Sequence, residues 1–324
     1  MNKIIISGGC GFIGSHVCEE IYKNLNIHKL IIVDKLTYAG NLTFINSLIK
    51  KKNVEFINDD ILNIYKYKKK FSSFDVAINL AAESHVDNSF RQSLLFTKTN
   101  TLGAHTFVNC CIENNVKKIV QVSTDEVYGQ KLRGINSEID NLNPTNPYSA
   151  SKAAAEVIIN SYRYFNPKKI LTIRGNNIYG IRQNPEKLIP SCITRLIKNK
   201  KILLHGNGKN TRCFLSATDF SHAIIHLLKK NKIGIYNVGN NNKEFQNIEI
   251  ARTICKLMSK DPEKYIEFVD DRLFNDKRYS INIDKIIKVG WRPKRKLLDD
   301  LPLIIKWYKE NHNLFNKKFK VNKL

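Results

Sequence analysis

No stretch of this sequence approaches the roughly 18 consecutive apolar residues that a membrane-crossing helix needs. The opening residues, MNKIIISGGCGFIG, are too short an apolar run for a signal peptide and lead straight into glycines, so a soluble, cytoplasmic protein without a membrane partner is expected. Cysteine offers no framework either. The seven thiols (Cys10, Cys18, Cys110, Cys111, Cys192, Cys213, Cys255) are odd in number and include no C-x-x-C pair, which argues against disulfides and against a zinc site. They are expected to be reduced and mostly buried, and no metal is expected. Internal repeats and low-complexity segments are lacking too. Acids are in short supply: 29 Asp and Glu stand against 53 Lys and Arg, a net charge of +24. Such an imbalance raises nucleic-acid binding as a class, yet the lysines are spread along the whole chain among asparagine and isoleucine. Their clusters at 50–52, 66–70 and 198–201 fall at helix ends or loops, with no interleaved aromatic signature. No specific nucleic-acid partner is expected, although a nucleotide diphosphate would be attracted.

What is present is a regular alternation of apolar runs and helical segments. Lys3-Ile4-Ile5-Ile6 breaks into Gly8-Gly9-Cys10-Gly11-Phe12-Ile13-Gly14 ahead of a helix from about Ser15 to Leu25. This G-x-x-G-x-x-G permits a tight turn and close approach of a pyrophosphate to a helix N-terminus. The next apolar run, Leu30 to Val33, ends in Asp34, 20 residues past Gly14 (34 minus 14), where an acid binds an adenosine ribose and favours NAD over NADP. Further runs end at Asp60-Ile61, at Ala81-Ala82, at Ser123 and at Arg174. Continuous apolar strands between helices predict an α/β fold, a doubly wound parallel Rossmann sheet, with ligands gathered at strand C-terminal ends. Asp60, Ala81, Thr124 and Asn177 should therefore converge on one crevice.

Two further features carry chemistry. Tyr148 and Lys152 are four residues apart on one face of an alanine-rich helix, where an ammonium is expected to lower the phenol pKa and make a usable base. In STDEVYG, residues 123–129, two carboxylates stand side by side at a strand end; each raises the other's proton affinity, so one acid and one base at the same pH become possible. With the glycine loop, these features resemble the extended short-chain dehydrogenase/reductase superfamily. The strings GGCGFIGSH, DKLTYAGNL, LAAESHVDNS, STDEVYG, NPYSASKAAAE, RGNNIYG, NPEKLIP, HGNG-x-x-x-R and FNDKRY narrow the resemblance to the nucleotide-sugar 4,6-dehydratases, and within them to the plant UDP-glucose enzymes of rhamnose synthesis. It runs from Lys3 to about Tyr308.

The resemblance implies a mechanism and a set of site residues. Oxidation at C4 of glucose makes H5 acidic, and water then leaves across C5 and C6. Tyr148 would take the 4-hydroxyl proton, Lys152 hold the phenolate and Thr124 hydrogen-bond the carbonyl, while Glu126 would remove H5 and Asp125 protonate the departing hydroxyl. The cofactor, NAD, would lie against Gly8, Gly11, Phe12, Ile13, Gly14, Asp34, Lys35, Thr37, Asp60, Ile61, Leu80, Ala81, Ala82, Thr99, Tyr148 and Lys152. Ser84 would meet the sugar or the cofactor, Thr124 the sugar, Asn177 and Lys187 the sugar and diphosphate, Arg212 and Arg278 the diphosphate, and Asn275 the ribose. His85 and Cys10 are expected to serve packing. The substrate would be UDP-glucose or, alternatively, dTDP-glucose; a C4 epimerase or decarboxylase shares the fold without needing both acids, and a redox-sensing regulator would lack the catalytic residues. Ile181 stands where proline usually follows Tyr-Gly, which puts the rigidity of that loop in question.

The expected division is a cofactor domain at 1–176, a mainly substrate-binding domain at 177–316 with a segment near 213–240 returning to the first sheet, and a frayed basic tail at 317–324. Helices near 99–114 and 149–164 match those through which relatives dimerise, so a homodimer is expected.

Overall fold

The computed structural model describes residues 1–167, 169–241, 243–271 and 275–315; the tail expectation lies outside them. The strands are β1 (Lys3–Ser7), β2 (Lys29–Val33), β3 (Val54–Ile57), β4 (Val76–Asn79), β5 (Lys118–Thr124), β6 (Ile170–Gly175), β7 (Asn177–Tyr179), β8 (Ile202–His205), β9 (Thr211–Ser216), β10 (Gly234–Val238), β11 (Glu244–Gln246) and β12 (Ile266–Val269). Among the described residues, β10-β6-β5-β4-β1-β2-β3 form one sheet in that order, and every pairing in it is parallel. Strand order reverses between β1 and β4, so their C-terminal ends open a crevice there.

Apolar runs alternate strictly between two cores. Ile4 and Ile6 of β1 pack on one face with Leu30, Ile32, Val76 and Ile78, while Ile5 packs on the other with Ile31, Val33 and Ala77. Burial on both faces is what removes any polar alternation from these strands. The first core is covered by the Phe12–Asn24 and Ala217–Lys229 helices, the second by Ile61–Phe71, Ala104–Glu113 and Pro147–Phe165. A third core gathers Ile189, Ile193, Ile250, Ile254, Leu301 and Ile305 from the helices Leu188–Ile197, Asn247–Leu257 and Leu297–Asn311, beneath the small sheets β11-β9-β7 and β12-β8. β10 pairs with β6, so the chain returns to the large sheet after building part of the small ones.

Local differences from the sequence reading have physical causes. The first helix begins at Phe12, not Ser15, with Gly11 as its cap, which puts Gly14 inside its first turn. The Ala104–Glu113 helix is preceded by a π-helical stretch, Thr97–Gly103. That wider turn carries Asn100 into the interior, where it accepts from the Glu83 amide at 2.8 Å and donates to the Glu83 carbonyl at 2.9 Å and to Ser151 Oγ at 2.9 Å. The loop at Ile181 is pinned without proline: His16 Nε2 lies 3.2 Å from the Ile181 carbonyl, and Arg182 pairs with Glu19 at 2.8 Å. A carbonyl only accepts, so Nε2 carries the hydrogen.

Candidate active site

Three cavities run end to end along the crevice. The first is lined by Gly8, Gly11, Asp34, Lys35, Thr37, Asp60, Ile61, Leu80, Ala81, Ala82 and Thr99. It exists because β1 turns away abruptly: Gly8 has φ +72°, and a Cβ there would lie 2.6 Å from the Ala81 amide nitrogen. A Cβ on Gly14 would lie 1.9 Å from the Gly8 carbonyl oxygen, so helix and loop touch backbone to backbone. Asp34 is fixed by two amides, accepting from Cys10 at 2.9 Å and Leu36 at 2.8 Å. Burial raises its proton affinity and those two bonds oppose the rise. Lys35 is committed to Asp60 at 3.2 Å.

The second cavity shares Gly8, Gly11, Leu80 and Ala82 with the first and adds Phe12, Ile13, Gly14, Ser84, Thr124, Asp125, Glu126, Tyr148, Lys152, Asn177 and Lys187. Thr124, the last residue of β5, caps the 3₁₀ turn Asp125–Tyr128: its hydroxyl accepts from the Glu126 amide at 3.2 Å and contacts Asp125 Oδ1 at 3.3 Å. Tyr128 anchors the turn from below. Its hydroxyl donates to Asn237 at 2.8 Å and accepts from Arg174 at 2.7 Å, and Arg174 is in turn bidentate on the fully buried Glu156.

The two acids thus project from a rigid turn into a place with little water. Asp125, 2% exposed, accepts from Asn176 Nδ2 at 3.1 Å. Burial and then the charge of Glu126 push its carboxyl up to about 7, against the pull of Asn176 and Arg212. Glu126 is half-buried and also shifted upward by burial, with Lys187 and Arg212 pulling back and Asp276 pushing further.

Tyr148 and Lys152 share a face of the Pro147–Phe165 helix, whose N-terminus is fixed by a capping box between Asn146 and Ser149. One expectation is corrected here. The Tyr148 phenol is shifted up, not down: burial raises it most, the charge of Glu126 adds to the rise and a Thr124 hydrogen bond opposes it, while Lys152 Nζ donates to the Val122 carbonyl at 2.7 Å. Lys152 itself is pulled down to about 8 by burial, with Glu156 opposing.

The third cavity shares Glu126, Asn177, Gln183, Glu186 and Lys187 with the second and extends to Arg212, Asn275, Asp276, Tyr279 and β8. Lys187 Nζ donates to the Ser84 carbonyl at 2.7 Å, joining the cap of the Leu188–Ile197 helix to the loop after β4. Arg212 donates to the Asp276 carbonyl at 2.9 Å and lies over the Tyr279 ring at 4.7 Å. Asn275 donates to Asp271 at 2.8 Å.

Arg278 lines none of the three cavities. Its Nε is 2.9 Å from both Glu244 oxygens and its Nη1 is 2.7 Å from the Gly134 carbonyl, so its donors face Glu244 and the 131–134 loop, not a diphosphate. Asn176, Gln183, Glu186 and Asp276 went unread in the sequence although each lies in or beside a quoted string. Nothing in those strings tells which member turns inward. Gln183 and Asp276 are marked by buried polar atoms without a partner among the described residues, Oε1 and Oδ1, whereas Asn176 and Glu186 are hydrogen-bonded to Asp125 and Tyr38.

Paired acids of raised proton affinity beside a buried Tyr–Lys pair, at the open end of a nucleotide-type crevice, invite comparison with known proteins. A family described as GDP-mannose 4,6 dehydratase matches residues 5–301. The chain belongs to this family. It is 39% identical over 316 residues to the trifunctional UDP-glucose 4,6-dehydratase/3,5-epimerase/reductase of Arabidopsis thaliana, covering 95% of this chain and 47% of that one. The chain therefore spans about half the length of the plant relative. It is 38% identical over 323 residues to the dTDP-D-glucose 4,6-dehydratase of Homo sapiens, covering 97% and 92% of the two chains. The crystal structure of the dTDP-glucose 4,6-dehydratase DesIV from Streptomyces venezuelae, solved with NAD bound, superposes with a TM-score of 0.92 at 33% identity, covering 96% of this chain and 98% of that one.

Proposed function

We propose that this protein is an NAD-dependent nucleotide-sugar 4,6-dehydratase that converts UDP-glucose to UDP-4-keto-6-deoxyglucose for deoxysugar synthesis of the rhamnose type. The observation that carries the reading is the Asp125–Glu126 pair facing Tyr148 across one cavity. The first cavity fits the cofactor. Its wall at Gly8 has no room for a Cβ, and the Asp34 carboxylate keeps lone pairs for ribose hydroxyls while Lys35, tied to Asp60, is not free for a 2′-phosphate. NAD, when bound, supplies the two-electron acceptor that takes the C4 hydrogen and gives it back to C6.

The side chains do the rest. Tyr148 takes the proton of the 4-hydroxyl, Lys152 supplies a nearby positive charge, and Thr124 donates to the oxygen that becomes the ketone. That ketone acidifies H5, which Glu126 removes. Asp125, pushed up to about 7, delivers a proton to the departing 6-hydroxyl, which leaves as water. A proton then returns to C5. Ionised Glu126 opposes ionisation of Tyr148, so the cluster is expected to titrate as a unit and not residue by residue.

Residues 1–176 are read as the cofactor domain and 177–316 as mainly the substrate domain. Lys187 and Arg212 supply positive charge for the diphosphate. The exposed Leu102, Val157, Tyr164 and Phe165 lie on the Thr97–Gly103 and Pro147–Phe165 helices and suit a homodimer interface. No helix among the described residues is long and apolar enough to cross a membrane, in keeping with a cytoplasmic enzyme.

The test is incubation with NAD and UDP-glucose in heavy water. The expected product is a 4-keto-6-deoxy sugar carrying deuterium at C5 and none at C6. A 4-epimer of unchanged oxidation level would replace this reading with an epimerase.

A further inference from the structure

The third cavity contains a buried charge to which the mechanism gives no part. Asp276 is 3% exposed. Its Oδ2 is taken up inside the protein, accepting from Thr145 Oγ1 at 2.8 Å and from the Tyr279 hydroxyl. Its Oδ1 has no partner among the described residues, although the residue lines the same cavity as Glu126, Asn177 and Arg212. An unpaired carboxylate oxygen out of water is costly, and a hydrogen-bond donor arriving there would relieve the cost.

The surroundings narrow what that donor is. The Asp276 backbone carbonyl holds Arg212, and Thr145 belongs to the loop that leads into the Tyr148 helix. Asp276 therefore stands between a cation suited to the diphosphate and the helix bearing Tyr148 and Lys152. Between a sugar's diphosphate and its reacting C4 to C6 edge lie hydroxyls, and each is a neutral O–H donor. An anionic ligand group is excluded by the acid's own charge.

We propose that Asp276 is a substrate-positioning residue whose free carboxylate oxygen accepts a hydrogen bond from a ring hydroxyl of the hexose, at C2 or C3. The proposal rests on the dehydratase reading above. It makes Asp276 a selector for hexoses that keep that hydroxyl.

The experiment compares wild type and Asp276→Asn on the parent sugar nucleotide and on its 2-deoxy and 3-deoxy analogues. The variant should lose roughly 10- to 100-fold in kcat/KM on the parent, mostly through KM. On one deoxy analogue the two enzymes should differ by less than about threefold, because the group that Asp276 serves is already gone. Thr145→Val removes an internal bond to the same carboxylate without touching its free oxygen, and should keep the wild-type preference for the parent over that analogue. Equal losses by Asp276→Asn on all three substrates, or no loss on any, would overturn the proposal while the dehydratase reading stands. If wild type turns over none of them, that reading falls and takes the proposal with it.

Discussion

The two ends of the crevice are built on opposite plans. At the cofactor end the wall is backbone: glycines with no room for a Cβ, and an acid whose two oxygens are each fixed by an amide. None of the unpartnered buried side-chain atoms among the described residues belongs to the first cavity. At the substrate end the wall is side chains, and it is there that unpartnered atoms gather on Asn177, Gln183 and Asp276. A wall already satisfied suits a group that stays through every turnover. A wall with open valences suits one that must enter, react and leave, because its hydrogen bonds are formed only with the ligand in place.

The largest expected effects lie where the two ends meet. Tyr148→Phe should suppress oxidation itself, and Glu126→Gln should allow oxidation but block loss of H5, each costing about 10² to 10⁴ in turnover. Absorbance of reduced nicotinamide separates them: it should persist in Glu126→Gln and never rise in Tyr148→Phe. Wild-type turnover in Glu126→Gln would remove Glu126 as the base.

Breaking the cofactor end comes next. Gly14→Ala puts a methyl 1.9 Å from a backbone oxygen, so the loop must shift and the cofactor wall with it. The expected loss in NAD affinity is roughly 10- to 100-fold, measured by titration, with little change in the KM for the sugar. Parallel losses in both would mean that the two walls are not independent.

This contrast also explains what was legible in the sequence. The parallel sheet, the glycine wall and Asp34 depend on contiguous spacing and on apolar runs buried on two faces, so short strings carry them. Arg278 and Asp276 are neighbours but one in the same short string, yet one faces Glu244 and the other the substrate cavity, a choice made by elements far away in the chain. The expected net lowering of the Tyr148 phenol failed for a related reason. Helical spacing brought the two to one face, but burial of the phenol and the anchoring of the ammonium on Val122 are properties of the packed protein.

A smaller effect sharpens the picture of the acids. Burial and the neighbouring Glu126 move the Asp125 carboxyl from the usual carboxylate range to about 7 in the folded protein, so the folded state binds the proton more tightly. Its contribution to stability is complete below the unfolded value and is lost as pH rises through the folded one. Asp125→Asn cannot ionise. Its unfolding free energy, measured by denaturant titration, should therefore gain on wild type as pH rises from about 4 to 7, by at most about 1.4 kcal/mol per pH unit. A constant difference across that window would mean that Asp125 is not the group with the raised affinity.

The smallest effect expected is the choice of nucleotide. UDP and dTDP donors differ by a ribose 2′-hydroxyl and a base methyl, and a methyl alone discriminates weakly. Asn275 lines the substrate cavity with its amide nitrogen donating to Asp271 at 2.8 Å, a bond that orients its carbonyl as an acceptor suited to a hydroxyl donor. Deoxyribose would leave that acceptor unpaired. A preference for UDP-glucose of a few-fold to about tenfold in kcat/KM is expected, narrowed in Asn275→His, where an imidazole replaces the fixed carbonyl. Both sugars competing in one reaction give the ratio directly. Preferential consumption of dTDP-glucose by wild type would show that the ribose hydroxyl is not read at Asn275, and the chemistry at Glu126 would be untouched by that result.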